Sequence, residues 1–263
     1  MPLLIDTHCH LDLPAFDADR AEVLARAVAA GVDAIVLPAI RPRTWSRVQA
    51  LARLRDDAGP AVHVAMGIHP QIVPELDPDE LAGDLVERLA DAATQCHAIA
   101  IGECGLDGAT ANLELQETLL RAHVRAARAV SLPLVIHVLR AHDHAPRILR
   151  EERVHEVGGV MHSYSGGADL VPVYRDLGLA FSFAGPITFA NARRPVEAAR
   201  VVPEDLLLAE TDSPDQAPEA HRGGRNEPAF LRAVIRGLAA ARDEHDEAIA
   251  ALTTSNARRL FRI

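Results

Sequence analysis

The chain has 263 residues, of which 49% are hydrophobic and 24% charged, and its formal net charge is -10. That length carries a full core, while the acidic balance excludes a protein that coats nucleic acid or an anionic membrane through bulk positive potential. All 27 basic residues are arginine, which excludes a Schiff-base lysine, a phosphate-loop lysine and a carbamylated lysine bridging two metals.

No apolar run approaches the roughly 20 residues that a membrane span requires. The opening Met1-Pro2-Leu3-Leu4-Ile5-Asp6 has no basic region ahead of an apolar stretch, so it does not read as a signal peptide. Cys9, Cys96 and Cys104 are odd in number and lack metal-ligand spacing, which fits a reducing compartment. The cytoplasm is the expected location.

Eight short apolar runs read as strands: Leu3–Asp6, Ala34–Pro38, Val62–Gly67, Ala98–Gly102, Leu134–Val138, Val157–His162, Leu179–Phe183 and Leu206–Glu210. Between them, Arg20–Ala30, Ser46–Asp57, Asp79–Ala93, Leu113–Val130 and Arg194–Val202 carry helical periodicity. Asp77 and Asn112 are positioned as caps, and Gly31 and Gly59 as helix stops. Strand and helix alternating through eight cycles predicts an α/β fold, a (β/α)8 TIM barrel formed by residues 1–263 as one domain. A doubly wound open sheet is the alternative, but no Gly-x-Gly-x-x-Gly turn follows any strand.

Asp6, His8 and His10 alternate along the first run, so their side chains share a face and the two imidazoles converge on one cation with Asp6 behind them. Cys9 points the other way, into apolar surroundings. His142-Asp143-His144 has the same spacing at a helix start, where residues two apart do not face each other; it reads as solvated surface. Glu103, His137, His162 and Asp212 each stand at or just past the end of a predicted strand. In a barrel those ends open on one face, where active sites lie. Six ligands, His8, His10, Glu103, His137, His162 and Asp212, exceed what one catalytic cation with an open position takes. They suit two divalent cations per chain, with zinc, manganese, magnesium and iron equally compatible. Glu103 is the expected bridge, and Asp212 the expected base that takes a proton from the attacking water. Asp107 and Glu210 are expected to stand behind the ligands. His69 either polarises substrate or anchors the turn at Pro70.

Taken together, these segments resemble the TatD family of metal-dependent hydrolases. The matching stretches are Asp6-Thr7-His8-Cys9-His10, Gly67-Ile68-His69-Pro70, Gly102-Glu103-Cys104-Gly105-Leu106-Asp107 and Leu132-Pro133-Leu134-Val135-Ile136-His137. His162-Ser163-Tyr164-Ser165-Gly166, Glu210-Thr211-Asp212-Ser213-Pro214 and Arg225-Asn226-Glu227-Pro228 follow in the same order. The resemblance implies a (β/α)8 barrel with a divalent metal centre that hydrolyses ester bonds, most often described as a deoxyribonuclease, with a 3′-end exonuclease as the implied form.

Three departures stand out. The family pattern has an aromatic after Gly-Leu-Asp, where this chain has Gly108-Ala109; it has Tyr-Leu after Thr-Asp-x-Pro, where this chain has Asp215-Gln216; and its arginine follows the fifth-strand histidine one residue sooner than Arg140 does here. Arg140 and Arg225 remain as expected phosphate contacts, with Arg222 read as surface charge. The expected substrate is DNA or a small ester, with no membrane and no obligate protein partner implied. A carboxylic ester, lactone or amide hydrolase on the same centre and a non-enzymatic metal-binding scaffold are the alternatives.

Overall fold

Branched apolar runs fill the inner wall of a barrel, and amphipathic helices close over its outside. The computed structural model describes residues 3–53 and 59–263. Its strands are β1 (Leu4–Asp6), β2 (Val32–Pro38), β3 (Ala61–Met66), β4 (Ala100–Asp107), β5 (Leu134–Leu139), β6 (Gly159–Met161), β7 (Leu179–Phe183) and β8 (Leu207–Ala209). They form one sheet in the order β1 to β8, every neighbouring pair parallel. The seam between the last strand and the first is joined just beyond the strand ends. Thr7 N–H donates to Ala209 O at 3.3 Å, Asp212 N–H to His8 O at 2.9 Å and His10 N–H to Ser213 O at 2.8 Å. The result is a nearly closed (β/α)8 barrel, as the alternation of runs predicts.

Ten α-helices lie between and after the strands among the described residues. They are α1 (Arg20–Ala29), α2 (Trp45–Arg53), α3 (Pro78–Leu81), α4 (Leu85–Gln95), α5 (Leu113–Val130), α6 (Ala145–Glu151), α7 (Val171–Arg175), α8 (Arg193–Val201), α9 (Leu231–Arg242) and α10 (Asp246–Phe261). The helix expected over Asp79–Ala93 is two helices. Gly83 takes φ +77° between them, and Asp84 caps α4 by accepting from Val86 and Glu87 N–H. Asn112 stands before α5 as expected but in a left-handed conformation, with no hydrogen bond from its side chain to the helix. The end of the helix expected over Ser46–Asp57, residues 54–57, and the Met1-Pro2 start lie outside the described residues.

Ile5, Ala34, Val36, Ala65, Ala100, Val135, Val160, Ala180 and Leu208 supply every strand's share of a small buried cluster, with Ala257 and Phe261 of α10 against it. Four of the nine strand residues in it are alanine, and the cluster is packed as a core. A larger buried cluster lies between strands and helices and includes Cys9 and Cys104. The fold thus spends its apolar residues on the wall and leaves the C-terminal ends of the strands for polar groups.

His123 on α5 is fully buried and ties the outer helix to the loop after β3. Its Nδ1 meets Leu119 O at 2.7 Å, and its Nε2 accepts from Ile68 N–H at 3.0 Å, so the neutral ring is the bonded form. Burial pushes its pKa down to about 4. An unfolded chain holds this proton from about pH 6.5 downward, so the contribution is complete above that pH and is lost as pH falls towards 4, by about 3 kcal/mol in all. His123→Gln, which keeps an acceptor for Ile68, is expected to flatten the acid side of the urea-midpoint profile by that amount. An unchanged slope between pH 6.5 and 4 would contradict this.

Candidate metal centre

The site is built around Glu103. Strand β4 runs on to Asp107, past the expected stop at Gly102, so Glu103 is an inward side chain of a strand and not a residue beyond its end. The register with β5 shifts between Ile101 and Cys104. At Gly105, with φ +147°, a Cβ would lie 1.8 Å from His137 O, so only glycine lets the two strands approach where they carry Glu103 and His137.

Glu103 is fully buried and its two oxygens face different partners. Oε2 lies 3.0 Å from His8 Nε2 and 3.4 Å from His10 Nε2. Those two nitrogens lie 3.2 Å apart, with Asp212 Oδ1 at 3.6 and 3.7 Å from them. Oε1 lies 2.8 Å from His162 Nε2, 2.8 Å from His69 Nε2 and 3.2 Å from His137 Nδ1. All six residues expected as ligands therefore meet in one place, with His69 as a seventh member.

Buried polar atoms are normally hydrogen-bonded. Of the seven buried side-chain atoms without a partner among the described residues, five belong to this ring: both Glu103 oxygens, His8 Nδ1, His10 Nδ1 and His137 Nε2. Donor atoms within 4.8 Å of one another fall into three sets: His8, Glu103 and His162; His8, His10 and Asp212; and His69, Glu103 and His137. Imidazole and carboxylate donors at this spacing fit divalent cations, and the two unpartnered Glu103 oxygens are atoms that a cation would satisfy.

The electrostatics fit the same purpose. Burial opposes ionisation of Glu103, but the surrounding His69, His162 and His8 outweigh it and hold its pKa well below the usual range. Burial lowers His8, helped by His162 beside it. For His10, burial works downward, yet Glu103 and the nearby carboxylates raise it to about 9. His162 is likewise raised against its burial, by Glu103 and by Glu210.

Surrounding residues orient these side chains. Asp6 accepts from Thr211 Oγ1 at 2.6 Å, from Thr211 N–H at 2.8 Å and from His8 N–H at 3.3 Å, joining the first and last strand ends behind the centre. Glu210 Oε1 faces His162 Nδ1 at 3.3 Å, leaving Nε2 directed at the centre. Asp107 Oδ2 accepts from Gln71 Nε2 at 2.8 Å and lies 3.6 Å from His137 Nε2. These are the places expected for Asp6, Asp107 and Glu210.

His69 anchors the turn at Pro70, and its other ring nitrogen lies 2.8 Å from Glu103 Oε1. Its Nδ1 accepts from Gln71 N–H at 3.0 Å and caps the turn that begins at Pro70. A neutral ring with Nδ1 so engaged carries its hydrogen on Nε2, which makes His69 a donor towards the centre. Burial lowers its pKa to about 4 against the pull of Glu103, so the neutral donor form holds across the physiological range.

Two expectations need correction. Arg225, expected as a phosphate contact, is engaged within the chain: its guanidinium donates to both Asp19 oxygens at 2.7 Å, to Ala15 O at 2.6 Å and to Glu227 at 2.9 Å, and stacks over Phe16. The neighbouring Asn226 donates to Thr211 O and Asp215 O, both at 2.7 Å, and Glu227 pairs with Arg26 at 2.7 Å. The Arg225-Asn226-Glu227 run therefore fastens the loop after β8. His142 is half-buried rather than free surface: its Nδ1 meets Tyr174 OH at 2.8 Å and its Nε2 meets Ser165 Oγ at 3.1 Å. Arg140 stays exposed just past β5, with no ion pair among the described residues.

Eight parallel strands that gather histidines and carboxylates at one end mark a metal-dependent hydrolase of the barrel class. The chain belongs to the TatD family: the model of the family described as TatD related DNase matches residues 5–262. The protein named as the uncharacterized metal-dependent hydrolase YabD of Bacillus subtilis is 35% identical over 263 residues, covering 99% of this chain and 100% of that one. YcfH of Escherichia coli, named in the same way, is 35% identical over 266 residues, covering 99% and 96%. The crystal structure of the TatD homologue YjjV from Escherichia coli superposes with a TM-score of 0.89 at 30% identity, covering 99% of this chain and 98% of that one. No helix among the described residues is long and apolar enough to cross a membrane.

Proposed function

We propose that the chain hydrolyses a phosphodiester, a DNA strand taken from its 3′ end, at a centre where Glu103, with His8, His10, His137, His162 and Asp212, would hold two divalent cations. The observation that carries this reading is the division of one buried carboxylate. Its Oε2 faces His8 and His10, which Asp212 Oδ1 also approaches, and its Oε1 faces His69, His137 and His162, more donors than one catalytic cation takes. When bound, the cations polarise the ester and acidify the water that attacks it.

The chain's own residues supply the remainder. Asp212, at the rim after β8, accepts the proton of the attacking water. His69 donates from Nε2 to an oxygen of the substrate, in the neutral form that its capping bond fixes. Arg140 reaches the same rim from the end of β5 and pairs with a phosphate beyond the scissile one. The DNA assignment draws on the family description and on Arg140. The net charge of -10 and the loss of Arg225 to internal ion pairs favour the second reading, a small carboxylic ester on the same centre.

Turnover of single-stranded DNA, a mononucleotide ester and a carboxylic ester by the manganese-reconstituted protein separates the two. The phosphodiester reading expects DNA to be the best substrate by kcat/KM. A preference above about a hundredfold for the carboxylic ester, roughly 2.7 kcal/mol in the barrier, would reverse it.

A further inference from the structure

Asp212 is engaged from behind by a side chain that no ligand pattern points to. Gln216 Nε2 donates to Asp212 Oδ2, while Oδ1 of the same carboxylate is the oxygen that faces His8 and His10. Ser163 Oγ lies against both ends of the same amide, 2.7 Å from Nε2 and 2.9 Å from Oε1. Ser163 N–H donates to Glu210 Oε1 at 2.6 Å, and that oxygen faces His162 Nδ1 at 3.3 Å. One polar chain therefore runs His162, Glu210, Ser163, Gln216, Asp212, linking the loops after β6 and β8 around the outside of the centre.

Backbone geometry marks the same residues. Ser163, Asp212 and Gln216 take φ values of 40°, 55° and 51°. Side-chain-bearing residues adopt this region at a cost and keep it where the surroundings over-determine it. A free carboxylate turns about its last bond and exchanges its two oxygens; a donor fixed on one of them decides which is presented.

We infer that Gln216 is a positioning residue for Asp212, setting which oxygen faces the centre and coupling it through Ser163 and Glu210 to His162. The inference rests on the reading of Asp212 as a metal ligand.

The test titrates metal-free protein with Mn²⁺ alone by calorimetry, and measures kcat and KM of the reconstituted protein, for Gln216→Leu, Ser163→Ala, the double variant and Asp212→Ala. Gln216→Leu is expected to weaken Mn²⁺ binding by about 10–100-fold and to lower kcat comparably, with KM within about twofold. Ser163→Ala is expected to weaken binding alone and to add little in the Gln216→Leu background, because both cut one chain. If Gln216→Leu lowers the metal-free melting midpoint, Gln216→Met, of closer shape, carries the comparison. Wild-type Mn²⁺ affinity and kcat in the Gln216 variants, with both lost in Asp212→Ala, would overturn the inference while leaving Asp212 as a ligand. Wild-type affinity in Asp212→Ala would overturn both.

Discussion

Replacing Glu103 by glutamine is expected to cut turnover at least about a thousandfold, some 4 kcal/mol in the barrier, in a barrel that stays folded. The substitution keeps the shape of a fully buried side chain ringed by five imidazoles, and removes its charge. An amide offers one acceptor in place of two, and its NH2 group would confront the imidazole nitrogens that need a carboxylate or a cation between them. Glu103 belongs to both halves of the centre, so the loss should appear in bound metal as well as in rate. Activity within about tenfold of wild type, or undiminished metal content, would contradict the account.

Proton competition gives the second large effect. Only neutral imidazole binds a cation, and reference histidines titrate near 6.5, which by itself sets the competition between about pH 7 and 5. The structure moves the window up. Against the opposing effect of burial, Glu103 and the nearby carboxylates hold His10 at about 9, and His137 and His162 are raised as well. At about 9, His10 still holds its proton at neutral pH in the metal-free site, so metal must displace it. Metal affinity is expected to rise with pH through the range 6 to 9, with more than one proton released per chain. Calorimetry of Mn²⁺ binding in buffers of different ionisation enthalpy reads that number directly. With limiting metal, activity should follow the same curve, and excess metal should move the midpoint to lower pH by mass action. Helix signal lost in step with activity would instead point to acid unfolding.

Much of this was legible in the residues because the two strongest signals are local. Branched runs such as Leu134–Val138 announced strands by composition, and His8 and His10 announced a shared face by alternation. Other features depend on distant partners and left no local mark. His142 resembles a ligand pair with His144, and only Tyr174 and Ser165, from other parts of the chain, show it to be tied into the wall. Arg225 carries the charge that a phosphate contact needs, and loses that role to Asp19, more than 200 residues away in sequence. The end of β4 was obscured for a different reason: the apolar run stops at Gly102, so Glu103 and Gly105 fall beyond the expected strand, yet here glycine permits close approach and the strand carries Glu103 on to Asp107. Gln216 had no signal beyond its departure from the family pattern, since its importance comes from a left-handed turn that returns the amide to Asp212.

The central claim is that Glu103 divides one cluster of ligands between two cations. Elemental analysis of metal-free protein reconstituted with Mn²⁺ or Zn²⁺ and dialysed against a low fixed concentration of the same ion tests it most directly. The account predicts about two ions per chain in the wild type and a clear loss in Glu103→Gln. A wild-type plateau of one ion or fewer, or a Glu103→Gln protein that still binds two, would contradict it.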